Sequence, residues 1–176
     1  MIAPETIRKI AETCMLKGKF KLRSGMESDT YFDKFLFESR PELLRAIVDG
    51  MAELLPQGVQ KLAGLELGGV PLATGLSLKT GLPLLLVRKR AKEYGTQKLI
   101  EGFMDKGDSI AVIEDVITTG GQVVESCKHI GAAGGRVVAV LCVVDREQGG
   151  AENLAKAGFA LKPLIRWSDV KRVLGE

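Results

Sequence analysis

Two adjacent carboxylates, Glu114 and Asp115, stand between an apolar run (Ile110, Ala111, Val112, Ile113) and a stretch of hydroxyls and glycines, Thr118, Thr119, Gly120 and Gly121. Residue types in this order suit a phosphate-binding strand–loop–helix. The apolar run makes a rigid strand, and the glycines let backbone N–H groups approach an anion closely. The hydroxyls donate further bonds, and a helix opening at Gln122 turns its positive end toward the same place. Carboxylates repel phosphate, so Glu114 and Asp115 must face another part of the ligand, such as sugar hydroxyls or a metal. A buried strand with an incidental acidic end would not require the loop that follows it.

A second cluster follows Val87. The segment RKRAKEYGTQK carries Arg88, Lys89, Arg90, Lys92 and Lys98 against a single acid, Glu93. Such a run is by default a solvated surface. Placed directly after a buried strand it suits a lid that closes over a highly charged substrate and excludes water. Gly68 and Gly69 are equally consistent with a tight turn and with backbone contact to a phosphate. His129, mid-helix, reads as a surface or packing residue, and Cys142 and Trp167 read as packing. Cys14 and Cys127 have no activating neighbour in the sequence.

These residues need a scaffold that gathers them. Residues 4–16 and 41–55 have helical apolar spacing, and residues 20–23 and 30–34 alternate as an extended pair. From residue 61 the pattern becomes regular: strand 61–66, glycine-rich turn 68–71, helix to 79, strand 83–87, strand 109–114, helix 122–133, strand 136–144, helix 150–157, strand 159–165 and a helical turn at 168–174. Strand–helix alternation predicts an α/β fold with a mostly parallel twisted sheet flanked by helices. Ligands of such sheets sit at the carboxyl ends of the strands. Loops after Glu66, Val87, Glu114 and Val144 should therefore meet at one edge. Residues 1–40 read as a small N-terminal hood, and residues 41–176 as the core of a single domain.

Composition narrows the setting. At 176 residues, 45% hydrophobic and 27% charged, the chain can bury a full core. A net charge of +3 gives no reason to expect nucleic acid as a partner. The scattered cysteines argue against disulfides or a zinc site and fit a reducing cytoplasm. No apolar run is long enough for a membrane span, and the N-terminus does not read as a secretory signal.

VIEDVITTGG, residues 112–121, resembles the phosphoribosyl diphosphate motif of type I phosphoribosyltransferases. FKLRSGMESDTYFD (20–33), RKRAKEYG (88–95) and VVDREQGG (143–150) resemble the N-terminal signature, flexible catalytic loop and D-R-x-x-G segment of the orotate phosphoribosyltransferases. With GLELGGVPLAT (64–74), a diphosphate-contacting turn, the resemblance covers most of the chain in the family's order. It implies Mg²⁺-dependent transfer of a phosphoribosyl group to orotate, giving orotidine 5′-monophosphate in UMP biosynthesis. It also implies a cytoplasmic homodimer whose catalytic loop reaches the neighbouring site, with Mg²⁺ held mainly by substrate oxygens.

The resemblance implies these roles. Thr118, Thr119, Gly120, Gly121 and Gln122 hold the 5′-phosphate, while Glu114 and Asp115 hold the ribose hydroxyls and stabilise positive charge on the ribose. Gly68 and Gly69 meet the diphosphate, which Arg88, Lys89, Lys92 and Tyr94 also contact; Lys89 and Lys92 count among the catalytic groups. Arg23, Tyr31, Phe32, Thr118 and Arg146 bind orotate, the two arginines suiting its carboxylate. The chain departs from the family at Gly68, where many members carry lysine, and at Tyr94, where many carry histidine. Transfer to another base and nucleotide sensing without catalysis are the alternatives. Arg23 and Arg146 disfavour a neutral purine, and no added nucleic-acid surface supports a regulator.

Overall fold

A computed structural model describes residues 2–21, 25, 27–89 and 98–175. Pro4 at the first helical position opens α1 (Pro4–Cys14), which buries Ile10, Ala11 and Cys14 on one stripe. The antiparallel pair β1 (Met15–Lys21) and β2 (Glu27–Phe32) follows, and then α2 (Phe35–Glu38). Another N-terminal proline starts α3 (Pro41–Leu54), which buries Leu43, Ile47, Val48 and Met51. The remaining order is β3 (Lys61–Leu65), α4 (Glu66–Thr80), β4 (Leu84–Val87), β5 (Ile100–Glu101) and β6 (Ser109–Ile117), then α5 (Gly121–Ala132), β7 (Arg136–Asp145), α6 (Gly150–Lys156), β8 (Leu161–Arg166) and α7 (Trp167–Leu174).

The main sheet has the order β5-β4-β3-β6-β7-β8. All its pairings are parallel except that of the short edge strand β5 with β4. Alternate residues of each central strand feed opposite faces. Leu62, Ala111, Ile113, Ala139, Leu141 and Val143 pack with α1, α3, α4 and α7, whereas Ala63, Ile110, Val112, Val140 and Cys142 pack with α5 and α6. That two-sided burial explains the unbroken apolar runs in β6 and β7. Successive strands are added toward one edge from β3 and toward the other from β6, so the loops after these parallel neighbours diverge and leave a crevice at their carboxyl ends.

Several boundaries differ from the sequence reading. Met15 and Leu16 belong to β1 rather than to the first helix, because they pair with Phe32 and Tyr31. Residues 68–71 are not a turn but lie in the first turns of α4. β6 runs past the acids to Ile117, since Val116 and Ile117 continue the ladder with Val144 and Asp145. α2 was not anticipated, and Lys34 is its N-cap residue rather than the end of a strand.

Candidate active site

A cavity of about 710 Å³ opens at the β3/β6 crevice, within the usual range for small-ligand sites. Glu114, Thr118, Thr119, Gly120, Gly121 and Gln122 all line it, joined by Lys34, Glu66 and Lys89. Gly120 adopts φ 72°, a left-handed turn that lets the chain pass from β6 straight into α5. No side chain caps α5, so its first N–H groups stay available to an anion at the cavity wall. The loop is tied down from behind. Asn153 Nδ2 donates to Thr119 O at 2.9 Å, and a Cβ on Gly150 would lie 2.6 Å from Thr118 O. The first turn of α6 thus buttresses the loop after β6, a contact visible only in three dimensions.

The two acids separate, as neighbours in a strand must. Glu114 faces the cavity, and burial, with Asp115 alongside, raises its carboxyl well above the usual value. Asp115 is fully buried on the other side, in the space left by the missing side chain of Gly68. A Cβ there would come within 1.6 Å of Asp115 Oδ2, and one on Gly69 within 2.3 Å of Ile113 O. The glycine pair therefore lets α4 press against β6. Asp115 is ion-paired with Lys34, whose side chain is one-third exposed, at 33%, and lines the cavity. Burial lowers the ammonium's pKa, but the Asp115 carboxylate more than offsets that, and the net shift is upward.

Arg88 lines a neighbouring hollow of about 490 Å³ and sits 3.4 Å from Glu101; Lys89 lines both spaces. Arg88 N donates to Leu99 O at 2.8 Å, so the chain leaves and rejoins the sheet at one edge around the basic segment. Lys92 and Tyr94 lie outside the described residues, as does Arg23.

Arg146 N donates to Ile117 O at 2.8 Å, which sets residue 146 beside Thr118. Its guanidinium stacks 3.7 Å from the centroid of Trp167, which meets Phe32 edge-on at 5.4 Å. Burial lowers its pKa, its Nε has no partner, and no carboxylate among the described residues pairs with it. A half-buried cation with a free donor is suited to an incoming carboxylate. Glu147 (φ 54°) holds this wall by accepting from Ser168 N at 2.6 Å, which fixes the start of α7 and hence Trp167. Phe32 is buried, while Tyr31 is exposed and stacks on Phe20 at 5.5 Å. Replacing Arg146 with Lys keeps the charge but loses the planar fork, and is expected to raise the KM for a carboxylate-bearing substrate about tenfold with little change in that for a phosphate-bearing one. Steady-state kinetics with each substrate varied in turn checks this split.

His129 is exposed, as anticipated. All three cysteines are free and buried, and burial pushes Cys14 and Cys127 up to about 12, which leaves them unreactive thiols. Sequence reasoning did not single out Lys34, Glu38 or the Trp167 stack. It placed Glu66 at a strand end, and only the backbone, with φ 49° at this non-glycine residue, marks its junction as special.

An acid and a glycine-rich loop at the switch point of such a sheet suit a phosphorylated ligand. The family model described as "Phosphoribosyl transferase domain" matches residues 40–171. An orotate phosphoribosyltransferase of Nocardioides sp. is 49% identical over 156 residues, covering 89% of this chain and 87% of that protein. The crystal structure of orotate phosphoribosyltransferase from Aeropyrum pernix superposes with a TM-score of 0.85 at 30% identity, covering 98% of this chain and 97% of that one. The Mycobacterium tuberculosis enzyme in complex with 5-phospho-α-D-ribosyl 1-diphosphate gives 0.80 at 28% identity, over 95% and 97% of the two chains. This chain belongs to the orotate phosphoribosyltransferase family, and its fold is that of type I phosphoribosyltransferases.

Proposed function

We infer that the protein transfers the phosphoribosyl group of 5-phosphoribosyl 1-diphosphate to orotate, releasing diphosphate and orotidine 5′-monophosphate for UMP synthesis. One observation carries this reading: a single cavity joins the open N-terminus of α5 to the Glu114 carboxylate, with the unpaired Arg146 guanidinium beside its Thr118 edge.

The 5′-phosphate rests on residues 118–122, where hydroxyls and helix N–H groups meet it. Glu114 and Asp115 take the ribose hydroxyls, and the Asp115 carboxylate stabilises the positive ribose ring as the bond to diphosphate breaks. The N-terminal turn of α4, with Gly68 and Gly69, offers backbone groups to the diphosphate, and Arg88 and Lys89 neutralise it. Orotate lies toward Arg146, Thr118 and the Tyr31–Phe32 end of β2, with its carboxylate on the guanidinium. Residues 1–40 form a hood over this end of a single domain. A ring nitrogen of orotate attacks the anomeric carbon and gives up its N–H proton to the departing diphosphate, which leaves with the electrons of the broken C–O bond.

Mg²⁺ fits this site as a substrate-borne ion. Glu114 and Glu66 give the cavity hard oxygen donors toward such an ion. When bound, the ion neutralises charge on the departing diphosphate. Chelation is expected to abolish turnover and added Mg²⁺ to restore it, followed as loss of orotate absorbance. If the protein, supplied with Mg²⁺, consumes adenine, guanine or uracil instead of orotate, the assignment of the base fails.

The protein works as a cytoplasmic homodimer that shares the basic loop between sites. Exposed Leu67 and Leu86 beside Lys89, at 71% and 39%, support an apolar contact there. Free, buried cysteines suit a reducing compartment. Mixed Lys89→Ala and Asp115→Asn subunits are expected to regain partial activity once exchange is verified by mass. Continued inactivity of the exchanged mixture excludes sharing.

A further inference from the structure

One cation in the cavity was supplied by an element the sequence did not reveal. Lys34 caps α2, and Glu38 ends the same turn four residues later, so both side chains address one neighbour, Asp115 of β6. Asp115 is fully buried, and Lys34 is the group that connects it to the cavity. Val116 N–H also donates to Asp115 Oδ1, at 2.5 Å. Glu38 Oε1 is buried without a partner, and Asp115 Oδ2, though against the ammonium, accepts no well-directed hydrogen bond. A proton on Glu38 gives both oxygens a partner.

We propose that Lys34 is a substrate-binding cation that exchanges partners: paired with Asp115 in the free protein, it turns to the diphosphate of the substrate and thereby frees Asp115 for the ribose. The proposal rests on the reading of the cavity as the phosphoribosyl diphosphate site. Three features favour exchange over a fixed ion pair. The ammonium is partly exposed and already lines the cavity, so only its flexible stem has to move. The incoming group is a polyanion, a stronger partner than one carboxylate. Finally, a buried carboxylate that loses its cation is costly unless other donors remain, and here Glu38 and Val116 N–H remain.

The protonation of Glu38 makes this work near neutral pH. Burial, with Asp115 next in effect, raises its carboxyl from 4.5 to about 8; Lys34 opposes the shift and Asp33 adds to it. Other titratable groups around the cluster are Glu114, which faces Lys34, and Arg40, which with Asp33 and Glu38 faces the un-ionised Cys14. Below about 8 Glu38 is neutral and donates to Asp115, so Lys34 is free to leave. Above that value Glu38 ionises, the cluster gains a negative charge, Lys34 is held more tightly, and diphosphate binds less well.

Calorimetric titration with inorganic diphosphate and Mg²⁺ tests this without relying on turnover. The unmodified protein should bind at pH 7 and lose about tenfold in affinity by pH 9. Lys34→Met should weaken binding at pH 7 by ten- to a hundredfold, while Lys34→Arg recovers most of it. Glu38→Gln, a permanent donor, should flatten the pH dependence to within about twofold. In turnover, Lys34→Met should raise the KM for phosphoribosyl diphosphate and leave that for orotate nearly unchanged. Equal diphosphate affinity in Lys34→Met and the unmodified protein overturns the proposal while leaving the proposed reaction intact. So does a pH dependence that persists in Glu38→Gln, or an equal loss in the Met and Arg variants. Failure of the unmodified protein to bind diphosphate at all overturns both readings.

Discussion

Asp115→Asn is expected to lower kcat by about 10²–10³-fold, the scale on which removal of one charge-stabilising group acts. The amide has the shape of the carboxylate and fills the same space beside Gly68, so the fold should persist with a single unfolding transition. What disappears is the negative charge that would face the ribose as positive charge develops there. Lys34 loses its partner but is exposed enough to turn to solvent, which limits the cost of the broken pair. Rapid-quench measurement of the chemical step separates this loss from slow product release. A variant with near-normal kcat would mean that Asp115 only anchors Lys34.

Gly68→Ala is expected to lower kcat/KM about 100-fold with modest loss of stability, and Gly69→Ala to do the reverse. A methyl at residue 68 meets the Asp115 side chain at 1.6 Å, so the carboxylate must rotate away, taking Lys34 with it. Misplacement on this scale is costly for catalysis even when the protein remains folded. At residue 69 the methyl meets the Ile113 carbonyl at 2.3 Å, and backbone of a central strand cannot yield. Overpacking of that kind costs about 1–3 kcal/mol, or roughly 2–10 °C in Tm for a chain of this size. Kinetics and thermal unfolding of the two variants side by side decide the matter. Two variants that lose stability alike and activity alike would remove the distinction drawn between the glycines.

The contrast shows what was legible in the sequence. β6 and its loop could be read because their signal is local: apolar run, acids, hydroxyls and glycines occur in the order in which they act. The parallel sheet was legible for the same reason, through the two-sided burial of β6 and β7. The glycine pair was not, because its meaning depends on what lies across the sheet at Ile113 and Asp115. α2 is four residues long, too short to show a helical period, so Lys34 and Glu38 had no visible reason to share a face. The Phe32–Trp167–Arg146 stack joins three distant segments, and no spacing rule links them. Adjacency also did not show that the strand sends Glu114 into the cavity and Asp115 behind Gly68, where Lys34 stands between it and the cavity.

In the proposed reaction one cavity orders phosphate, ribose and base along β6, its loop and the start of the segment after β7. A crystal structure with orotate and a non-reactive phosphoribosyl diphosphate analogue tests it most directly. The 5′-phosphate is expected on residues 118–122, ribose hydroxyls at Glu114 and Asp115, the orotate carboxylate on Arg146, and the Lys34 ammonium turned from Asp115 to the diphosphate. A 5′-phosphate bound away from the α5 N-terminus, or orotate bound away from Arg146, would contradict it.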